Sequence, residues 1–496
     1  MINWISKALS SGAAMALIFI LWLFSMFMVH RSTSSKTQSA DLSQIPIGKP
    51  SPDEYQNWMD VYLGNDKIGY AMQSLTNSPL GYVMKEYSLI NLPMGGTVRE
   101  IYLDSYAVLN LDYSIKNFTF GLISGDYTTD IFGDVKNSQL LIRLKSQSHE
   151  TEQAFNLENQ IFLPGVVPLL ACAKNFAEGE FYLSTFDPFS LNLNSLQVII
   201  GPQQAIKTNS ESQKGYRLSL IFSGLTTTMW VDKSGRILLE EEAGGMKMMA
   251  TSREEALNMP IVESGGRDIL DDLAVQSDIA IPEPRDIKIL KVRLNGVDGV
   301  LLDLVDEFQS MISESPLIIE VHPNSVIAVG TIDSSLFLKS EPLIQSNDPR
   351  IVKKAREITK GETNPEMKAI RIHDWVYKNV EKDFTVSLPS AVDVLNTLKG
   401  DCNEHTALFT ALSRAAGLPT KVCIGIVYKD GVFYYHAWAA VYLGGWRPMD
   451  PTFGQTVTDA CHIKLLEGGF ERQADLMRVV GKLSISVLEY TGGEKL

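Results

Sequence analysis

Residues 399–455 read KGDCNEHTALFTALSRAAGLPTKVCIGIVYKDGVFYYHAWAAVYLGGWRPMDPTFGQ, and they decide the predicted fold of the second half of the chain. The stretch sets a cysteine at the start of a predicted helix and a histidine inside a predicted strand. An aspartate follows directly after a further predicted strand. A nucleophile, a base and a group that orients the base are the parts that thiol catalysis requires.

The cysteine, Cys402, follows a Gly-Asp pair and precedes apolar residues at helical spacing, namely Leu408, Leu412 and Ala415. Gly417 and the proline two residues later predict the end of this helix. The N-terminus of a helix carries unpaired N–H groups and the positive end of the dipole. Both favour a thiolate, so we predict a lowered pKa for Cys402. The backbone N–H of Cys402 is the predicted donor to an oxyanion.

The base candidate is His436, which lies in the strand pattern VFYYHAWAAVY of residues 432–442. Alternation in a strand places His436 and Trp438 on one face. The residues after a Gly-Gly turn predict a return strand that ends at Asp450, whose carboxylate would fix the tautomer of the imidazole. A tight turn at Gly444–Gly445 would set residue 453 opposite His436, so we expect a longer loop or a bulge.

Four linked segments, GDCNEH, RAAGLPTKV, YHAW and WRPMDPTFGQ, resemble the core of bacterial transglutaminase-like proteins. The resemblance runs from about Pro365 to Lys464, roughly a fifth of the chain. It implies a papain-like α+β fold and a catalytic triad at the matching positions, Cys402, His436 and Asp450. It also implies acyl transfer through a thioester on Cys402, without a cofactor.

Other residues offer competing interpretations. His405 lies three positions after Cys402, on nearly the same helix face, and is a rival base. Cys172, Cys423 and Cys461 stand in apolar or packed contexts and are predicted to be inert. The pairs Cys402/His405 and Cys461/His462 lack the spacing of a zinc site, so no metal site is predicted.

The composition limits the possible partners. The chain has 496 residues and a formal net charge of −14, with no basic run. An acidic chain of this kind argues against nucleic acid as a partner. Its length predicts two or three domains.

Residues 8–29 contain no charged side chain and predict a single transmembrane helix. The apolar run exceeds that of a cleavable signal peptide, which favours an uncleaved anchor. Residues 30–51 are rich in Ser, Thr and Gln and predict a flexible tether. We expect the body of the protein on the periplasmic, extracytoplasmic side, although the flanking charges do not fix this orientation.

Residues 52–265 carry many short alternating segments with turn signals, which predict a large antiparallel β domain, curved or half-closed. Residues 285–345 predict a small β-rich linking segment with a helix at Asp306–Ile312. Residues 346–496 predict the transglutaminase-like catalytic domain. Met246, Met248 and Met249 leave open a trough for lipid or peptide in the β domain, although sheet core is the simpler interpretation.

Two functions follow from these patterns. The favoured hypothesis is a membrane-anchored thiol enzyme that acts on a peptide or protein substrate as a protease or amidase, rather than as a cross-linking enzyme. The alternative is a non-catalytic envelope protein that binds a ligand through its β domain. The complete Cys, His and Asp set favours the enzyme, since a scaffold requires none of the three.

Overall fold

The computed structural model describes residues 54–188, 190–208, 212–222, 225–242, 245–262, 268–299, 302–323, 333–384, 386–476 and 479–492. These residues fall into two compact units, one of residues 54–93 and 97–262 and the other of residues 94–96 and 268–492. The predicted membrane span at 8–29 and the tether at 30–51 lie outside the described ranges. Among the helices within those ranges, none combines the length and apolar character needed to cross a bilayer.

The first unit contains a fourteen-stranded antiparallel sheet, which confirms the prediction of a large antiparallel β domain. Two meanders form it, and they meet where β1 pairs with β14, so that the order is β8 to β1 followed by β14 to β9. The strands are β1 Glu54–Leu63, β2 Asp66–Ser78, β3 Gly81–Met94, β4 Thr97–Leu109, β5 Ile115–Ser124, β6 Tyr127–Lys136, β7 Gln139–Ser146, β8 Glu150–Asn156, β9 Gly179–Asp187, β10 Asn192–Lys207, β11 Ser212–Phe222, β12 Leu225–Val231, β13 Ile237–Glu241 and β14 Met246–Thr251.

Along its strands β6 and β7 this sheet has one buried face, whereas several consecutive residues of β2 are buried on both faces. Residues of β6 and β7 alternate between buried and more exposed positions along most of their length, as expected when one face of each strand packs inward. Phe186 on the edge strand β9 contacts Phe155 on the opposite edge strand β8, with ring centroids 5.8 Å apart. The sheet therefore curls until its two edges approach each other. The chain between these edges forms a 3-10 turn, Pro164–Val166, and helix α1, Val167–Ala173, both of which are largely buried. Helix α2 spans Arg253–Leu257.

The second unit combines helices with two four-stranded sheets of order β16-β17-β15-β24 and β22-β21-β20-β23, and a short parallel pair of β18 and β19. Its strands are β15 Ile287–Asn295, β16 Gln309–Glu314, β17 Leu317–Val321, β18 Glu381–Lys382, β19 Lys399–Gly400, β20 Thr420–Lys429, β21 Val432–Tyr442, β22 Trp446–Met449, β23 His462–Gly468 and β24 Ser484–Gly492. Its helices are α3 Ile269–Asp272, α4 Pro349–Ile358, α5 Pro365–Asn379, α6 Ala391–Thr397, α7 Cys402–Ala415 and α8 Gln473–Leu476.

Helix α7 is the core of the second unit. It packs against α4, α5 and α6 on one side and against β20 and β21 on the other. Every residue from Cys402 to Arg414 is buried, including the polar ones. A helix that is buried on all sides holds its first residue in a fixed position, which is the geometry that a catalytic nucleophile needs.

The segment after residue 285 differs from its sequence prediction in two ways. The helix predicted at Asp306–Ile312 is wrong, because Asp306 bonds the N–H of Phe308 in a turn and the strand β16 begins at Gln309. The β15 strand pairs with β24 from the end of the chain. The segment is thus joined to the C-terminal residues by main-chain hydrogen bonds.

Candidate active site

The turn before helix α7 fixes the position of Cys402. The Asp401 carboxylate accepts a hydrogen bond from the N–H of Asn403 at 2.8 Å, and Glu404 accepts one from the N–H of Asp401 at 2.9 Å. This reciprocal capping box begins the helix at Cys402, as the sequence predicts. Gly400 has a φ of +144°, and a Cβ there would lie 2.2 Å from the Cβ of Glu404. Only glycine allows the chain to approach the helix start so closely.

Helix α7 contacts strand β21 at Ala437, the residue after His436. Cys402 and Ala437 pack together in the core, and the Ala437 backbone hydrogen-bonds the sulfur. One turn along the helix, the hydroxyl of Thr406 donates to the carbonyl of Ala437 at 3.1 Å. The structure therefore brings Cys402 directly beside the strand segment that carries His436.

The structure also brings His436 and Asp450 together. His436 Nε2 lies 2.8 Å from Asp450 Oδ2, and both side chains are buried. The turn between β21 and β22 comprises residues 443–445, since Tyr442 pairs with Trp446. Continuing this register places Asp450 level with Trp438, two residues from His436 on the same face. Of the two expected alternatives, a longer loop or a bulge, the structure shows a loop one residue longer than a tight Gly-Gly turn. This loop does not set Asp450 directly opposite His436, but a diagonal cross-strand pair is within side-chain reach.

The other oxygen of Asp450 is bound to the main chain. Asp450 Oδ1 accepts the N–H groups of Thr452 and Phe453 at 2.6 and 3.0 Å. The Asp450 main chain pairs in both directions with Gln455, and its carbonyl lies 3.0 Å from His373 Nε2. These contacts fix the carboxylate from both sides, so that Oδ2 can only point toward the histidines.

A second histidine, His462, completes the site, although the sequence around it predicts no catalytic role. Its Nε2 lies 3.1 Å from Asp450 Oδ2 and its Nδ1 lies 3.2 Å from Asp459 Oδ1. Arg285 in turn donates to Asp459 Oδ2 at 2.6 Å. A ring with a carboxylate at each nitrogen donates from both, which is the imidazolium form. Burial alone would lower the pKa of His462, but Asp459 and Asp450 raise it above its usual value.

Two other groups in the site, unlike His462, have pKa values below their usual values. Burial lowers the pKa of His436, and Asp450 opposes this only in part. Burial would raise the pKa of Asp450, but His436 and His462 hold it well below its usual range. In the resting site Asp450 is thus ionised and His436 is neutral, a base that can accept a proton.

The prediction of a lowered pKa for Cys402 is wrong for this resting structure. Burial raises the pKa of the thiol well above its usual value, Asp401 adds to the effect, and the bond from Ala437 opposes it only in part. Cys402 is 1% exposed, so the loss of hydration outweighs the helix dipole. The capping carboxyl that begins the helix also places an acidic group next to the sulfur.

One ring nitrogen of His436 is not used by Asp450. Among the described residues, His436 Nδ1 has no hydrogen-bond partner, while Nε2 is held by Asp450. The ring lies 6.0 Å from the Trp438 ring at an interplanar angle of 20° and 5.1 Å from that of Phe453. These aromatic walls restrict the imidazole to one orientation.

The rival base, His405, is bound to its own helix. Its Nδ1 lies 2.7 Å from the carbonyl of Asp401, and burial lowers its pKa to about 4. A histidine that donates to a backbone carbonyl and stays neutral fits a structural role at the helix start. Burial raises the pKa of Cys423 to about 12 and that of Cys461 well above its usual value, as it does for Cys402. Position separates them, because Cys402 begins a helix, whereas Cys423 lies within β20 and Cys461 directly precedes β23.

Donor atoms of His436, Asp450 and His462 lie within 4.8 Å of one another, and they form the one potential metal-ligating group of three found in the described ranges. Both imidazoles direct Nε2 at the same carboxylate oxygen. Hydrogen bonds explain this convergence, so we interpret the group as part of a proton-transfer site. The Cys402/His405 and Cys461/His462 pairs considered from the sequence do not belong to it.

Comparison with known proteins agrees with the location of this site. The family model of the Transglutaminase-like superfamily matches residues 352–451, which include Cys402, His436 and Asp450. An uncharacterised protein of Haemophilus influenzae is 33% identical over 150 residues, which cover 24% of this chain and 40% of that protein. The chain thus matches less than half the length of this relative. The resemblance to the superfamily is confirmed for residues 352–451.

Three solved structures show weaker likenesses. A proposed cysteine protease from Cytophaga hutchinsonii is 20% identical, covers 42% of this chain and 89% of its own, and has a TM-score of 0.28. A β-barrel-like protein of unknown function from Brucella abortus is 12% identical, with coverages of 40% and 95% and a TM-score of 0.33. A proposed protease from Parabacteroides distasonis is 11% identical, with coverages of 73% and 68% and a TM-score of 0.20. These TM-scores are low, so the function proposed below rests on the family match and the site geometry.

Proposed function

We propose that this protein is a thiol enzyme that transfers the acyl group of a peptide or carboxamide through a thioester on Cys402, with water as the usual acceptor. The observation that carries the proposal is the bond from His436 Nε2 to Asp450, which leaves Nδ1 without a partner among the described residues. The next residue, Ala437, packs against Cys402, and its backbone bonds the sulfur. The family match at residues 352–451 supports the same chemistry.

In the proposed reaction, the Cys402 thiol gives its proton to His436 Nδ1 as the sulfur attacks the carbonyl carbon. The negative charge that develops on the carbonyl oxygen is stabilised by the backbone N–H of Cys402 at the start of α7. The C–N bond then breaks, and the leaving amine or ammonia takes the proton from His436. Water, deprotonated by His436, attacks the thioester and releases the acid and the free thiol.

Asp450 and the raised thiol pKa have distinct parts in this proposal. Asp450 stabilises the imidazolium that forms when His436 takes the proton, because their bond becomes an ion pair in a buried site. The thiol is protonated at rest. We infer that substrate binding must open a path to the sulfur, which is 1% exposed in this structure.

The test is to trap the acyl-enzyme. The full chain would be treated with p-nitrophenyl acetate, and the acetylated residue would be located by mass spectrometry together with the release of nitrophenolate. We expect a thioester on Cys402 that is lost in Cys402→Ala and retained in Cys172→Ala, whose sulfur is partly exposed. Acetylation of Cys172 alone in the native chain would exclude the enzyme and favour the binding-protein hypothesis. Adding glycinamide separates the acceptors, because hydrolysis predicts that the acid remains the main product.

We further propose that residues 8–29 anchor the protein in the membrane as a single span, with the body on the extracytoplasmic side. The apolar and uncharged character of this stretch supports the anchor. A C-terminal alkaline phosphatase fusion, which is active only outside the cytoplasm, is expected to be active. A C-terminal reporter active only in the cytoplasm serves as the opposite control, and its activity would overturn the orientation.

A further inference from the structure

The β unit contains a cavity that the proposed reaction does not use. Its empty volume is about 530 Å³, which includes the space at its opening to solvent. Four methionines form much of its wall, Met59, Met72, Met229 and Met248. Two carboxyl groups, those of Glu86 and Glu240, lie among these apolar side chains.

Glu240 is placed in this wall by the strand register. It pairs with Met229 on one neighbouring strand and with Met248 on the other, so that the three side chains share a face of the sheet. Glu240 is 2% exposed, and its Oε1 has no hydrogen-bond partner among the described residues. The next residue, Glu241, points to the opposite face and is exposed. A buried acid between two methionines is costly unless something binds it.

Glu86 contributes the second carboxyl group. Its Oε1 accepts a hydrogen bond from Gln73 at 2.7 Å, while its Oε2 is buried without a partner in the described part of the chain. Gly165 lies against it, and a Cβ at that position would be 2.6 Å from Glu86 Oε1. The glycine thus allows the turn before α1 to cover the carboxyl without filling the space beside it.

The charges in the cavity favour a cation. Burial raises the pKa of Glu86 to about 7, and burial together with Glu86 raises that of Glu240 to about 8. Glu242, on the same strand face, has a pKa raised well above its usual value by burial and by Glu240. A bound cation would restore the ionised forms and supply the missing hydrogen-bond donors.

A metal ion is a poor candidate for this cation. In the part of the chain that the structure describes, the one group of three His, Cys, Asp or Glu donors close enough for a metal is at His436, Asp450 and His462. The glutamates of the β unit do not converge in this way. An ammonium group carries three donors on one nitrogen and can satisfy separated acceptors, and a short hydrocarbon tail suits the methionine wall.

We propose that this cavity binds a primary alkylammonium group, either a free amine or the end of a lysine side chain, with the ammonium between Glu86 and Glu240 and the alkyl chain against the methionines. The charge of the ligand complements the two unpaired carboxyl oxygens, and its tail complements the apolar wall. The inference concerns the β unit alone and does not depend on the thiol chemistry.

The test is isothermal titration calorimetry of the full chain, purified in detergent, at pH 8. n-Butylammonium is compared with n-butanol, which has the same tail and no charge, and with hexanoate, which has the opposite charge. We expect n-butylammonium to bind at least tenfold more tightly than either. Equal or tighter binding of n-butanol or hexanoate by the native chain would overturn the proposal, whatever the behaviour of any variant.

The variants locate the ligand. Glu240→Gln and Glu86→Gln are each expected to weaken n-butylammonium at least tenfold, while Glu241→Gln, the matched exposed control, should change the affinity less than twofold. The same loss in all three variants would contradict the site. Nα-acetyl-lysine N-methylamide distinguishes the two sources of the group, because tighter binding than n-butylammonium indicates a lysine side chain and weaker binding indicates a free amine.

Discussion

Each unit contains a group of buried carboxyls, and the pKa values of the two groups are shifted in opposite directions. Asp450 and Asp459 of the second unit are buried among His436, His462 and Arg285, and the pKa of each lies below its usual value, about 2 for Asp459. Three glutamates of the β unit are buried without a cation, and their pKa values are raised, to about 7 for Glu86 and about 8 for Glu240.

Burial is the largest single influence in both places, and it acts in the same direction. The outcome differs because imidazole and guanidinium groups surround the aspartates, whereas methionines surround the glutamates. A buried carboxylate that is paired with a cation stays ionised and can stabilise that cation. A buried carboxyl group without a cation is protonated and neutral. Depth in the protein alone therefore does not predict the charge of a buried acid.

The largest expected effect on activity comes from removing the charge of Asp450, which is paired with His436 and His462 in the active site. Asp450→Asn keeps the shape of the side chain but removes the charge that stabilises the His436 imidazolium. We expect the rate of Cys402 acetylation by p-nitrophenyl acetate to fall by about 10² to 10⁴. Asp430→Asn, an exposed aspartate of the same unit, is the control and should keep the native rate. Similar rates for Asp450→Asn and the native protein would remove Asp450 from the mechanism.

The second prediction tests whether His462 controls the pKa of His436 or only supports the fold. His462 lowers the pKa of His436 by repulsion, so His462→Gln should raise the pKa of His436. The acid limb of the pH profile of acetylation would then move to higher pH, so that the rate at a fixed pH on this limb would fall severalfold. His322→Gln, which alters a histidine of the other sheet in this unit, should leave the profile unchanged. A lower rate without a shift of the acid limb would mean that His462 only supports the fold.

The third effect concerns the unpaired acids and their dependence on pH. A carboxyl whose pKa is raised in the folded state contributes stability that is present below about pH 4.5 and is lost as the pH rises toward 8. Glu240→Gln removes this loss and should raise the free energy of unfolding at pH 8 by about 1 to 3 kcal/mol, with little gain at pH 4.

Denaturant titration at the two pH values measures this difference, and Glu241→Gln should show no such dependence. A Glu240→Gln protein that is less stable than the native protein at pH 8 would show that the carboxyl is paired.

The opposite sign applies to Asp459, whose pKa is lowered to about 2. Its contribution is present above about pH 4 and is lost as the pH falls toward 2.

The smallest effect tests the same contrast with two neutral groups on one helix. The Thr406 hydroxyl donates to Ala437, whereas the Thr410 hydroxyl, one turn later and equally buried, has no partner among the described residues. Thr406→Val should destabilise the protein by about 1 kcal/mol. Thr410→Val should be neutral or slightly stabilising, and both are measured by denaturant unfolding. Equal losses in the two variants would mean that the hydroxyl bond to Ala437 contributes nothing.

Local signals in the sequence were enough for part of the site. The Gly-Asp pair and the helical spacing after Cys402 predicted the start of α7, and the alternation around His436 predicted β21. Asp450 followed from the strand that ends before Pro451. The start of α7 and the two strands can each be predicted from a few neighbouring residues, and the structure contains them at these places.

The remaining parts of the two sites depend on long-range pairing. His462 reaches Asp450 because β23 pairs with β20, and nothing near residue 462 indicates this. Glu86 and Glu240 are far apart in the chain and meet only when the sheet forms. The thiol pKa was predicted in the wrong direction for a related reason, since the helix start is visible in the sequence but the burial of Cys402 is not.

The pairing of β1 with β14, the hydrogen-bonded seam between the two meanders, affects how the β unit assembles. Each meander is built from neighbouring hairpins that can form early, whereas this one seam joins strands at opposite ends of the unit and carries most of the loop-closure entropy. A chain nicked at the exposed residues 158–160, between β8 and α1, would leave the two meanders as separate fragments. Such fragments should recombine along the seam, which would make the β unit a two-piece complementation system.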